Sequence, residues 1–362
     1  MVWVGPSPSL TGRLYFSRFP RNPRQSLRRV RVAGLLDAAY DAALTDFSCW
    51  SSFMSVVDLS KPVLVYLANG VQGGAVARAA SRHGLKVRAL VRNPVHSSSL
   101  EEAGVELAQA DLFDLGSLVA ASQGASGAVI QIPMGAQSDM AAQATHAFNA
   151  AKIAGLSSII LKLGSASRPE PCEEPSLVAN AMVEDIARQS GMLSAIVRPT
   201  MYLDNLLRPH TRADLVENGL FAAPISESQQ IAWTSADDCA EATVRLLMAG
   251  PAGVGDYRIS GPESLSGDAL AERIMVGLGR PIVYRARPLD GFEQDMDKAE
   301  GRAAGRRLAS KFRYLATHRD DADAILAIPY STIVELGDFF PTSVETWIRD
   351  RRQILLGSDI AE

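Results

Sequence analysis

The stretch Leu67-Ala68-Asn69-Gly70-Val71-Gln72-Gly73 sets two glycines between a short apolar run and an Ala-rich run. Glycine at such a junction lets backbone N–H groups come close to a diphosphate, and a following helix N-terminus adds a favourable dipole. The chemistry implied is capture of a dinucleotide, with Asn69, Gly70, Val71, Gln72 and Gly73 as candidate contacts. The position three before Gly70, where a third glycine commonly stands, is Leu67. About twenty residues further on, where the ribose is read, the chain has Val91-Arg92-Asn93-Pro94. No carboxylate is present to accept from a 2′-hydroxyl. Arg92 can pair with a 2′-phosphate and stack on adenine, which points to NADP(H). The alternative is a solvated Arg at a strand end. Asp111 and Leu112 are placed to meet the adenine, although Asp111 reads equally as a helix N-cap. Gln131, in Gln131-Ile132-Pro133, falls beside the nicotinamide ribose.

These residues need a scaffold that brings loop after loop to one edge. The run Val63–Leu67 reads as a buried strand and Gly74–His83 as the helix behind the glycine turn. Strands follow at 86–91, 105–110, 127–132, 158–163 and 193–197, and helices at 115–123, 138–154 and 176–189. Strands alternating with helices specify a parallel α/β sheet, here a Rossmann-type doubly wound sheet. After Pro199 the rhythm changes. Residues 203–223 are irregular or helical, 236–248 form a helix that rejoins the sheet, and from Tyr257 a strand, a helix, a strand and Arg- and Ala-rich helices follow. The expected organisation is a nucleotide-binding domain over 61–202 with 225–250, and a smaller C-terminal α/β lobe over 203–224 with 251–350.

With 362 residues, 47% of them hydrophobic, the chain can build a full core. A net charge of -4 argues against nucleic-acid binding through bulk electrostatics. No apolar stretch is long enough to span a bilayer. Cys49, Cys172 and Cys239, like the five histidines, show no metal spacing, so no metal site is expected. The cysteines fit a reducing compartment, and a cytoplasmic location is the expectation. The first 53 residues differ. Arg13, Arg18, Arg21, Arg24, Arg28, Arg29 and Arg31 precede any acidic residue. This basic extension reads as an over-long start ahead of Met54. The alternative is a transit peptide, which would place the protein in an organelle matrix.

The motifs in combination resemble the NmrA-like family of atypical short-chain dehydrogenases/reductases. The similar stretches are Ala68–Gly73, Val87–Pro94, Ala154-Gly155, Ile196-Val197-Arg198-Pro199-Thr200-Met201-Tyr202-Leu203-Asp204-Asn205 and Ile259–Glu263. The resemblance covers about Leu64 to Trp347 and adds Pro199 to the nucleotide contacts. It implies an NAD(P)-bound Rossmann domain, a small second lobe and a substrate cleft between them. Some family members are NADPH-dependent reductases of quinones, aromatics and ketones. Others bind the nucleotide as regulators without turnover.

Short-chain reductases commonly activate a Tyr with a Lys four residues on, and no Tyr here has one. Family members often keep a Lys in the helix before the "RP" strand; by spacing, Asn180 holds that place. The remaining candidates are Tyr202 and Ser165 as proton donors and Lys162 as an orienting cation. Their plainer readings are a core Tyr lining the cleft, a loop hydroxyl and a strand-end Lys reaching solvent. The function expected is NAD(P)H-dependent hydride transfer to a small quinone, ketone or activated aromatic, by a chain that could form a homodimer. The alternative is a non-catalytic NADP(H)-binding sensor.

Overall fold

The computed structural model describes residues 57–94, 97, 100, 104–167, 171–192, 194–300 and 304–357. These residues belong to the compact unit Phe53–Glu362. The basic N-terminal extension lies outside the described residues.

The strands are β1 (Val63–Val65), β2 (Val87–Val91), β3 (Glu106–Gln109), β4 (Gly127–Ile130), β5 (Ser158–Lys162), β6 (Ser194–Pro199), β7 (Leu220–Ala223), β8 (Asp256–Ile259) and β9 (Val283–Ala286). Seven of them form one sheet in the order β3-β2-β1-β4-β5-β6-β8, every described pair parallel. The first four connecting helices are α1 (Val71–Arg82), α2 (Leu115–Ser122), α3 (Gln137–Ile153) and α4 (Pro175–Gln189). α5 (Pro209–Glu217) precedes β7, and α6 (Ala236–Ala249) leads into β8. Alternate residues of each strand face opposite ways. Val63, Val65, Val129, Ile160 and Val197 pack under α1 and α6. Leu64, Ala128, Ile130, Ile159, Leu161 and Ile196 pack under α2, α3 and α4. Strands buried on both faces need unbroken apolar runs, and these sequences supply them.

Strand order reverses between β1 and β4, which opens a crevice at the carboxyl ends of the strands. β1 is shorter than the apolar run. The backbone leaves the ladder after Val65, and Leu67 adopts a left-handed conformation with φ +52. Among the described residues it is the non-glycine residue at positive φ, and it stands where a glycine is usual. The turn then closes through Gly70 N–H to Leu67 O at 2.9 Å, and α1 begins at Val71, one turn earlier than the sequence suggested. A Cβ on Gly73 would lie 2.2 Å from Leu67 O. Gly73 therefore sets how closely α1 meets β1.

The smaller lobe has its own core, which includes Leu215, Phe221, Trp233, Ile274, Trp347 and Ile348. Its two-stranded sheet pairs β7 with β9 in parallel, across α7 (Gly267–Leu278). α8 (Leu289–Glu300) and α9 (Ala304–Thr317) follow as a helical pair. The strand beginning near Tyr257 does not belong to this lobe, contrary to the expectation from sequence. It is β8, which pairs with β6 as the seventh strand of the main sheet. Its sequence, Asp-Tyr-Arg-Ile, is only half apolar because it is an edge strand. Arg198 of β6 and Asp256 of β8 bond across the ladder at 2.8 Å, and Glu184 of α4 takes Arg198 in a bidentate grip.

Candidate dinucleotide crevice and active site

The crevice is built from the loops after β1, β2, β3, β4 and β5. At its centre is the N-terminus of α1. Gly70 is the N-cap and no side chain caps it, so the first-turn N–H groups face outward as anion donors. Asn69 is exposed beside them, its Oδ1 accepting from the buried Ser97 Oγ at 2.9 Å. That bond turns the Asn69 amide nitrogen into the available donor. Val71 is 63% exposed on the same lip.

Arg92 is exposed at the end of β2, where Gln109 Nε2 donates to its carbonyl at 3.3 Å. Asp111 does not cap a helix. Its Oδ1 accepts from Phe113 N at 2.9 Å, forming a turn, while Asp114 caps α2 through Gly116 N and Ser117 N. Two acids three residues apart read alike in sequence, and the turn geometry decides between them. Leu112 is half-buried against the core that contains α2 and α3. Phe113, 54% exposed, extends the apolar lip beyond Leu112. Sequence reasoning missed it; the signal available was a lone aromatic in a loop between two acids.

At the other end of the crevice, Gln131 is buried at the close of β4. Its Oε1 has no partner in the protein, an acceptor that a carboxamide or a ribose hydroxyl would satisfy. Met134 is 46% exposed in the next loop, whereas Met140 is core. Ser165 lies within reach of Met134 and is half-buried. Asn180 of α4 donates to Ser165 Oγ at 3.0 Å and to Ala166 O at 2.9 Å. The amide in the usual Lys position thus fixes the β5 loop and carries no charge.

Lys162 is 0% exposed and does not reach solvent. It ends β5 and points under α1. Its Nζ donates to Gln72 Oε1 at 2.6 Å and to Tyr202 Oη at 3.0 Å. Tyr202 donates in turn to Gln72 Oε1 at 3.1 Å, and Gln131 Nε2 reaches the same oxygen at 3.3 Å. Gln72 Nε2 donates to Gly164 O at 3.0 Å. One glutamine of the nucleotide turn therefore ties β4, β5 and the chain after β6 together. Burial brings the Lys162 ammonium down to about 8, against smaller opposing contributions from Cys239 and Asp204. Burial also drives the Tyr202 phenol well above its usual value and the Cys239 thiol up to about 11. The structure thus joins Lys162 and Tyr202 but seals them from an acceptor, since Tyr202 is 7% exposed. Ser165 stands apart from them, half-buried against Met134. Pro199 is buried at the end of β6. It lines a separate cleft of about 700 Å³ along β6 and β8, with Ser167, Arg258, Ser260 and Tyr330.

A doubly wound parallel sheet with its glycine turn at the switch point defines a Rossmann-type dinucleotide-binding protein. The sequence profile of the NmrA-like family matches residues 59–348, and the chain belongs to that family. An NAD(P)H azoreductase of Xenophilus azovorans is 28% identical over 236 residues, covering 65% of this chain and 80% of the relative. Among solved structures, an NADPH-dependent quinone oxidoreductase of Escherichia coli in complex with NADPH superposes with a TM-score of 0.64. It is 20% identical and covers 80% of this chain and 99% of its own. NmrA, a negative transcriptional regulator solved with NADP, also gives 0.64 at 19% identity, covering 84% and 99%. Among the described residues no group of metal-ligating side chains occurs and no helix is long and apolar enough to cross a membrane.

Proposed function

We propose that this chain is an NADPH-dependent reductase that passes a hydride to a conjugated acceptor such as a quinone, a ketone or an activated aromatic. The observation that carries the reading is the arrangement at Ser165. A half-buried hydroxyl, oriented by Asn180 and set against Met134, stands near the Gln131 end of the crevice, and the next two residues, Ala166 and Ser167, line the 700 Å³ cleft. That cleft would give an acceptor room next to the loop after β5. The uncapped N-terminus of α1 would hold the diphosphate, Arg92 the 2′-phosphate, Phe113 and Leu112 the adenine, and Gln131 the nicotinamide half. The bound dinucleotide supplies the hydride. The protein's task is then positioning and exclusion of competing reactions. Ser165 polarises the acceptor oxygen or nitrogen by a hydrogen bond. The proton follows from solvent, since the described side chains that hold Ser165, those of Asn180 and Met134, carry no acidic group. The azoreductase activity of the relative and the quinone reduction of the structural neighbour are of this kind, which supports the reading.

A second reading is a nucleotide sensor. It is favoured by the sealing of Lys162 and Tyr202, which leaves no charged proton relay. Stopped-flow oxidation of bound NADPH against a panel of quinones, ketones and azo arenes separates the two. Turnover with any of them supports the reductase. Tight NADPH binding without oxidation across the panel makes the sensor the correct reading.

A further inference from the structure

Lys162 is an expensive residue. A fully buried ammonium loses its hydration, and such groups are ordinarily paired with a carboxylate. Here its hydrogen-bond partners are the neutral Gln72 and Tyr202, and the Tyr202 ring lies 5.4 Å from Nζ. The nearby charged or titratable groups are Tyr202 and Asp204 after β6, and Cys239 on α6. Asp204 Oδ2 is turned to cap α6, accepting from Ala236 N at 2.8 Å. Asp237 at that same end is taken by Arg78 and Arg351. The cation is thus left without a contacting counter-ion among the described residues. Its one short contact runs to Gln72, the second residue of α1, whose backbone lies on the diphosphate side of the turn.

We propose that Lys162 serves the dinucleotide and not the acceptor: it is a buried cation set behind the N-terminus of α1 that offsets the charge of a diphosphate bound on the other side. This deepens the reading of the crevice as a dinucleotide site and rests on it. Gln72 is the positioning residue. Its carbonyl holds the ammonium beneath the turn, and its amide holds Gly164. Charge attraction through a poorly polarisable interior is stronger than across water, so a cation behind the donors reinforces the helix dipole without occupying the site. The arrangement has a pH signature. Below about 8 Lys162 is charged in the free protein and affinity is full. As pH rises through that value, affinity falls, because the bound anion must first restore the proton. Binding in that window takes up protons.

The test uses ADP-ribose 2′-phosphate, which carries the diphosphate without the nicotinamide. Calorimetric titrations from about pH 6.5 to 9.5, in buffers of differing ionisation enthalpy, give affinity and proton uptake together. The wild type should bind about tenfold more weakly at the high end and take up about half a proton near pH 8.5. Lys162→Met should bind about tenfold more weakly at pH 6.5 and lose both the pH dependence and the uptake. If that variant does not fold, Gln72→Glu provides the same test. It gives Lys162 a carboxylate that keeps it charged, so proton uptake should vanish. Affinity independent of pH in the wild type, or an unchanged profile in either variant, overturns the proposal while leaving the dinucleotide site intact. Failure of the wild type to bind the probe at pH 6.5 overturns the dinucleotide reading itself.

Discussion

Leu67 holds a backbone conformation that suits glycine, at a cost of roughly 1–2 kcal/mol for an L-residue. Leu67→Gly removes that strain but loses the leucine's half-buried packing and adds freedom to the unfolded chain. The expected net change in stability is within about 1 kcal/mol. Leu67→Ile, branched at Cβ, should be destabilising by more than that. Chemical denaturation of the pair checks both. Ser165 and Asn180 act through neutral hydrogen bonds, each worth about 0.5–1.5 kcal/mol. Ser165→Ala should lower kcat/KM roughly tenfold and Asn180→Ala no more than that, well short of the 10²–10⁴-fold loss of a general acid. Tyr202→Phe should leave the proton step unchanged, since its hydroxyl faces Lys162 and Gln72. A hundredfold loss of kcat with Tyr202→Phe, at unchanged NADPH affinity, would restore that phenol as the donor. Arg92→Ala should bring the Kd for NADPH to that for NADH. Equal affinities in the wild type would refute the 2′-phosphate role.

The contact between α1 and β1 rests on Gly73, where a methyl group would meet the carbonyl of Leu67. Gly73→Ala forces the helix outward, at a cost of about 1–3 kcal/mol, and moves the donors of the first turn. The expected result is lower thermal stability together with a larger loss of nucleotide affinity than Gly70→Ala causes. At Gly70 the corresponding contact is a looser 3.3 Å. Much of this scaffold was legible in the sequence. The apolar runs that became β1, β2, β4 and β5 and the punctuating glycines encode local structure with a fixed period. β8 was read as a strand but given to the wrong lobe, because a local sequence does not record which sheet an edge strand joins. The union of Gln72, Lys162 and Tyr202 was not legible. The three lie 40 to 130 residues apart, on elements joined only by the crossovers of the sheet. No spacing rule records such a meeting. The separation of Ser165 from the pair was hidden for the same reason.

At the scale of the molecule, the buried cation sets how stability responds to pH. Lys162 binds its proton less tightly folded than unfolded, about 8 against 10.5. The cost of burying the charge is fully present below pH 8, and stability rises as pH climbs from there. Cys239 works the other way. Its thiol is raised from 9.0 to about 11, so the folded state holds that proton longer and stability is lost above pH 9. The wild-type protein without nucleotide should therefore gain stability from pH 7.5 to about 9 relative to Lys162→Met. Urea midpoints across that range are the measurement, and a constant difference between the two proteins would show that Lys162 keeps its proton throughout and that burial does not lower it.

The smaller lobe is made from two stretches of chain. β7 is laid down before α6, and its parallel partner β9 comes after β8 has returned to the main sheet. Glu227 and Ser228 are exposed between β7 and α6. A glutamyl endopeptidase that cuts after Glu227 would yield two fragments, each holding one strand of the β6–β8 ladder and one of the β7–β9 ladder. The bridge from Tyr202 to Thr234 also crosses the cut. The fragments should elute together as one native particle and part only in denaturant. Neither should fold alone, so the lobe is not a detachable module: a single nick leaves it bound on both sides.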